Sequence, residues 1–129
     1  MQETVPVAIE LGGRSRLRQA NVAAASVLRV MEAVGLATTE EDVARAAIET
    51  IRAEFGWAYG AHFRAGESGA ELTFALQCGA GDEDFRRATT AARFCAGEGV
   101  NGRAWRTRDI VLVPDLGMVR DCPRAASAR

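Results

Sequence analysis

Apolar and polar positions alternate along this chain in two different rhythms. From Ser15 the positions Leu17, Asn21, Ala24, Leu28, Met31 and Val34 recur every three or four residues, one stripe of a helix that Gly35 ends. Thr38 with Glu41 forms a capping-box pair that opens a second helix. Its buried side carries Val43, Ala47, Ile51 and Phe55, and Gly56 stands where a left-handed terminal glycine belongs. At Trp57 the period falls to two. Trp57, Tyr59, Ala61 and Phe63 alternate with Ala58, Gly60, His62 and Arg64; Gly66-Glu67-Ser68-Gly69 supplies a turn; Leu72, Phe74, Leu76 and Cys78 alternate again. This is the pattern of a β-hairpin with large residues on one face and small ones, such as Ala58, Gly60 and Ala75, on the other. The small face invites close approach of helix backbone, and the large face lines a core or a pocket, with an ordinary core on both faces as the competing reading.

Beyond the hairpin the signals are shorter. Asp82 caps a helix running to about Ala92, with Phe85 facing inward. Gly97-Glu98-Gly99-Val100-Asn101-Gly102-Arg103-Ala104-Trp105 is a glycine-dense turn feeding another short helix. The amino end of that helix either receives an anion or satisfies itself with Glu98 or water. Ile110-Val111-Leu112-Val113 predicts a buried strand stopped by Pro114 and Asp115. Pro123 predicts a final helical turn capped by Asp121. Residues 1–13, ending in the breaker pair Gly12-Gly13, are expected to be an irregular leader. The element order, two helices and then strands with interleaved helices, predicts an α+β domain with an antiparallel sheet.

Composition narrows the chemistry. The length of 129 residues fits one domain, and 48% apolar with 26% charged residues is ordinary for a globular chain. A net charge of −1 supplies no basic field for nucleic acid. All 16 basic side chains are arginines. The absence of lysine excludes a Walker-type phosphate loop and Schiff-base catalysis. No apolar run approaches a membrane span, and the stretch from Met1 to Arg18 lacks the apolar core of a secretory signal, so a cytoplasmic address is expected. Three dispersed cysteines, Cys78, Cys95 and Cys122, form no CxxC pair, and the single His62 rules out HExxH zinc chemistry. No metal site is expected. A serine triad would need His62 without any GxSxG elbow. The glycine-rich turn follows no long strand and is no dinucleotide fingerprint.

Three segments in register resemble the middle of a GAF domain. They are Gly97 to Trp105, then Val113-Pro114-Asp115-Leu116, then Pro123-Arg124-Ala125-Ala126. The resemblance covers about residues 20–129, with the helices and hairpin in the family's order. The stretch from Asp115 to Ala125 resembles GAF modules of bacterial chemotaxis receptors and sensor histidine kinases. It implies a GAF-like, PAS-related antiparallel sheet with N-terminal helices packed on one face. The domain plan is then a helix over 14–35 and a partial α+β core over 36–129, within a sensor domain spanning 14–129. The family continues past this last loop with two more central strands and a helix. The chain therefore reads as incomplete at its C-terminus, with open strand edges that call for a partner strand, a swapped dimer or uncovered apolar surface.

The function implied is a small-molecule-sensing or dimerising regulatory domain of a bacterial signal-transduction protein, not an enzyme. It would be read by an output domain in a longer protein. Carried over position by position, Phe63, Phe74, Trp105, Asp115, Arg120 and Cys122 are the candidate ligand-binding residues. Core packing competes for the aromatics, and turn capping competes for Asp115. The ligand is unknown. A Cys-Pro pair at Cys122-Pro123 also occurs in some haem-regulatory motifs, which brings in haem or another tetrapyrrole with Cys122 or His62 as axial ligand. The position of Cys122 between Arg120 and Arg124 resembles that of the catalytic thiol of free methionine-R-sulfoxide reductase. The family's resolving cysteine, however, falls here on Asn101. A third alternative is a ligand-free dimerisation module whose pocket is filled by its own side chains. The stripe from Leu17 to Val34 suits a homodimer through the first helix as well as packing on the sheet.

Overall fold

The computed structural model describes residues 13–129, so the expected leader lies outside the described residues apart from Gly13. The chain is α+β, with four α-helices and a three-stranded antiparallel sheet among the described residues. It divides after Gly56 into two compact units.

The first unit is a helical hairpin. Helix α1 (Gly13–Gly35) and helix α2 (Glu40–Phe55) are joined by a short turn. The N-cap of α2 is Thr39, one residue later than the Thr38 expected, and its hydroxyl accepts the Asp42 N–H at 3.1 Å. Thr38 instead donates to the Asp42 carboxylate. The first turn of α2 holds Glu40, Glu41 and Asp42, and its last turn holds Arg52, both favourable to the helix dipole. Gly56 closes α2 in the left-handed conformation (φ 66°), donating its N–H to the last carbonyls, as expected.

A polar cluster joins the two helices. Ser26 is buried, its hydroxyl 3.0 Å from the Val22 carbonyl and 3.1 Å from Glu54 Oε2, two alternative acceptors for one proton. Arg29 donates to the same Glu54 oxygen at 2.6 Å. Ser26 lies on the side of α1 opposite Leu17, Asn21, Ala24, Leu28 and Met31, which face outward, whereas Val34 of the expected stripe is half-buried. Leu17, Leu28 and Met31 are 64%, 60% and 64% exposed, and Asn21 and Ala24 are exposed between them. On α2, Ala47 and Ile51 are half-buried as expected, whereas Val43 and Phe55 are exposed.

The second unit is built on strands β1 (Tyr59–Ala65), β2 (Glu71–Gly79) and β3 (Arg93–Cys95), in the order β1-β2-β3. The hairpin forms as predicted, with one correction. Phe63 pairs with Phe74 but His62 pairs with Leu76, so Ala75 is an extra residue on β2. A bulge inverts the alternation beyond it. Leu72 and Phe74 therefore share a face with Phe63, while Leu76 and Cys78 share the other with His62 and Gly60. The single large face expected from the alternation is divided between both sides.

Helix α3 (Glu83–Ala91) starts at Asp82, whose carboxylate accepts the Phe85 N–H at 2.8 Å. Phe85 turns inward and meets Tyr59 edge-to-face at 5.1 Å. Helix α4 (Gly99–Thr107) follows the glycine-dense turn, and 3-10 turns form at Leu116–Met118 and Ala126–Ala128. Residues 110–113 form no strand. They have no regular secondary structure, with Ile110 and Leu112 exposed, because apolar character alone does not make a strand without a neighbour to pair with. The core of this unit is Phe94, 0% exposed, with Leu72, Ala92, Cys122 and Ala125.

Candidate functional site

The expected ligand residues are distributed over three different environments. Phe63 and Trp105 pack directly on the core around Phe94 and Cys122. Phe63 makes edge-to-face contacts with Phe94 at 5.1 Å and with Phe74 at 6.0 Å. Phe63, Phe74, Trp105 and Cys122 are thus brought to one side of the sheet. Asp115 is turned elsewhere: its carboxylate accepts the Gly117 N–H at 2.8 Å and caps the 3-10 turn. Arg120 is exposed. His62 stands on the opposite sheet face from Phe63, its Nδ1 buried without a hydrogen-bond partner. Cys122 is buried, whereas Cys95 is exposed. No three of His, Cys, Asp and Glu converge on a metal-binding position among the described residues.

Around that aromatic cluster stands a residue not singled out as a site from the sequence. Arg124 is only 8% exposed. Its guanidinium carbon lies 5.5 Å from the centre of the Phe63 ring, 5.7 Å from Phe94 and 5.8 Å from Phe85. Nη2 donates to Asn101 Oδ1 at 2.8 Å, while Nε is buried and unpartnered. No carboxylate lies within ion-pair distance of it among the described residues. A buried cation without a counter-charge is costly, and each ring contact offsets roughly 0.5–2 kcal/mol of that. From the sequence Arg124 stood out only as the residue after Pro123 and as one of two arginines flanking Cys122.

The amino end of α4, which was open to an anion in principle, is filled by the chain itself. Asp121 Oδ2 accepts the Gly99 N–H at 2.9 Å, and both carboxylate oxygens lie 3.1 Å from Arg103 Nη1. The Gly99 amide first, and then the Arg103 guanidinium, hold the Asp121 carboxyl below its ordinary value of 3.8. Asp121 therefore does not cap the turn after Pro123, as its position predicted. Glu98 accepts the Cys95 N–H instead of capping the helix. The glycines of this turn are spent on closeness: a Cβ on Gly102 would collide with the Cys95 carbonyl oxygen, and one on Gly99 would lie 3.1 Å from the Phe94 ring.

The helical hairpin carries the other candidate surface. The outward stripe Leu17, Asn21, Ala24, Leu28 and Met31 is continuous over four turns of α1 and is opposite the face that meets α2. Isolated exposed apolar residues need no explanation, but Leu17, Leu28 and Met31 lie on one face. No helix among the described residues is long and apolar enough to cross a membrane. No protein family, curated protein or solved structure matches this chain.

Proposed function

We propose that this chain is a dimerising regulatory module of a bacterial signal-transduction protein, GAF-like in plan, cytoplasmic and non-enzymatic. The observation that carries the reading is the outward stripe of α1, whose large apolar side chains have no cover while the core of the second unit is closed by its own aromatics. Burying such a row against another helix gains roughly 25 cal/mol per Å2 of apolar surface, the usual driving force for helix association. An attached output domain would read the paired state. Light scattering after gel filtration tests this reading. The chain runs as a dimer, and Leu28→Glu, which places a charge in the middle of the stripe, runs as a monomer. A Leu28→Glu dimer as firm as the parent would overturn it.

Arg124 favours a second reading, sensing of a small carboxylate or phosphate. The buried Arg124 Nε–H is a donor without an acceptor, and an anionic ligand would supply both acceptor and counter-charge. Phe63, Phe74, Trp105 and Cys122 would then wall the site. A thermal-shift screen of small carboxylates and phosphates tests it, since any true ligand loses its effect in Arg124→Met.

A further inference from the structure

We infer that α1 pairs with a second copy of itself in antiparallel orientation, the two copies being clamped by reciprocal Arg18–Glu32 ion pairs. The inference rests on the dimerising reading and adds the partner's orientation and contacts. Leu17, Asn21, Ala24, Leu28 and Met31 are spaced four, three, four and three residues apart, the repeat of a two-helix seam. The two shoulders of the stripe differ. One shoulder holds Arg18, Ala25 and Glu32, and the other holds Ala20 and Val27.

Arg18 and Glu32 are both exposed, and neither has an ion-pair partner among the described residues. They are about 21 Å apart along the helix at 1.5 Å per residue, too far to meet within one copy. An antiparallel copy brings like shoulders together, so Arg18 faces the partner's Glu32 and Glu32 faces the partner's Arg18. The same arrangement sets large residues against small ones along the seam. Leu28 lies over the partner's Ala24, Met31 over the partner's Asn21, and Leu17 over the partner's Gly35. A parallel copy would instead bring Glu32 against the partner's Val27 and Ala24 against the partner's Ala24, a charge on an apolar side chain and a thin layer. Antiparallel pairing avoids both.

Charge reversal on the full 129-residue chain tests this. Arg18→Glu and Glu32→Arg each weaken the dimer about tenfold in sedimentation equilibrium, and the double variant regains the parent's affinity. Such rescue can arise only between copies. With Cys78 and Cys95 replaced by serine, Val27→Cys, next to the two-fold axis, oxidises to a covalent dimer and Leu17→Cys does not. A dimer that Leu28→Glu dissolves, but that crosslinks through Leu17→Cys and shows no rescue, overturns the antiparallel pairing and leaves the dimerising reading standing. A monomeric parent chain, its stripe covered by another partner or by the rest of the chain, overturns both.

Discussion

Asp121 reaches back across 22 residues to the Gly99 amide, 2.9 Å away, and so closes the amino end of α4 from within the chain. Arg103, one turn into that helix, holds the same carboxylate from the side. The last loop is thereby tied to the glycine-dense turn.

The bond makes stability depend on pH with a definite sign. The folded-state value of Asp121 is depressed below its unfolded value near 3.8, so its contribution is complete above that value and is lost as pH falls through the folded value. Urea unfolding at pH 6 and at pH 3 is therefore expected to show a smaller acid loss in Asp121→Asn than in the parent. Equal losses would contradict the linkage.

Gly102→Ala drives a methyl group into the Cys95 carbonyl, where neither backbone segment is free to move aside. A destabilisation of about 3 kcal/mol is expected in chemical denaturation. Gly66→Ala is the control. Its Cβ would lie 3.7 Å from the Glu71 carbonyl oxygen, an ordinary contact, and its effect stays within about 0.5 kcal/mol.

Arg124→Met removes a buried charge with no counter-ion and keeps an apolar stem among Phe63, Phe85 and Phe94. The variant is expected to be as stable as the parent or about 1 kcal/mol more stable at neutral pH. A loss above about 2 kcal/mol would mean that the ring contacts and the Asn101 bond outweigh the burial cost.

Thiol labelling follows burial. Cys95 is exposed and reacts first with a disulfide reagent, and Cys122 reacts only on unfolding. Reaction of Cys122 in the folded chain at the rate of Cys95 would bring back the reductase alternative.

The parts of the fold that local rules govern were legible in the sequence. Gly56, Asp82 and the hairpin turn all act through backbone conformation or a hydrogen bond to a near neighbour, and each stands as expected. What escaped depended on distant partners. The bulge at Ala75 has no local signature, because Phe63 and Leu76 would alternate acceptably without it. Residues 110–113 are apolar enough for a strand, but strand formation needs a neighbour that the described sheet does not offer. The α1 stripe was legible, yet the side it turns to was not: Ser26 bonds Glu54 of α2 from the opposite face, a contact 28 residues apart in the chain. Of the candidate site residues, the aromatics and Cys122 converge on one core, while Asp115 is engaged by its own turn and Arg124 shows its importance only through its burial.

Pairing of two copies through the outward stripe of α1 is read out by sedimentation equilibrium of the unmodified chain over a range of concentrations. The expected mass is twice 13.8 kDa, falling toward 13.8 kDa on dilution. A mass of 13.8 kDa at every concentration up to about 100 μM would contradict it.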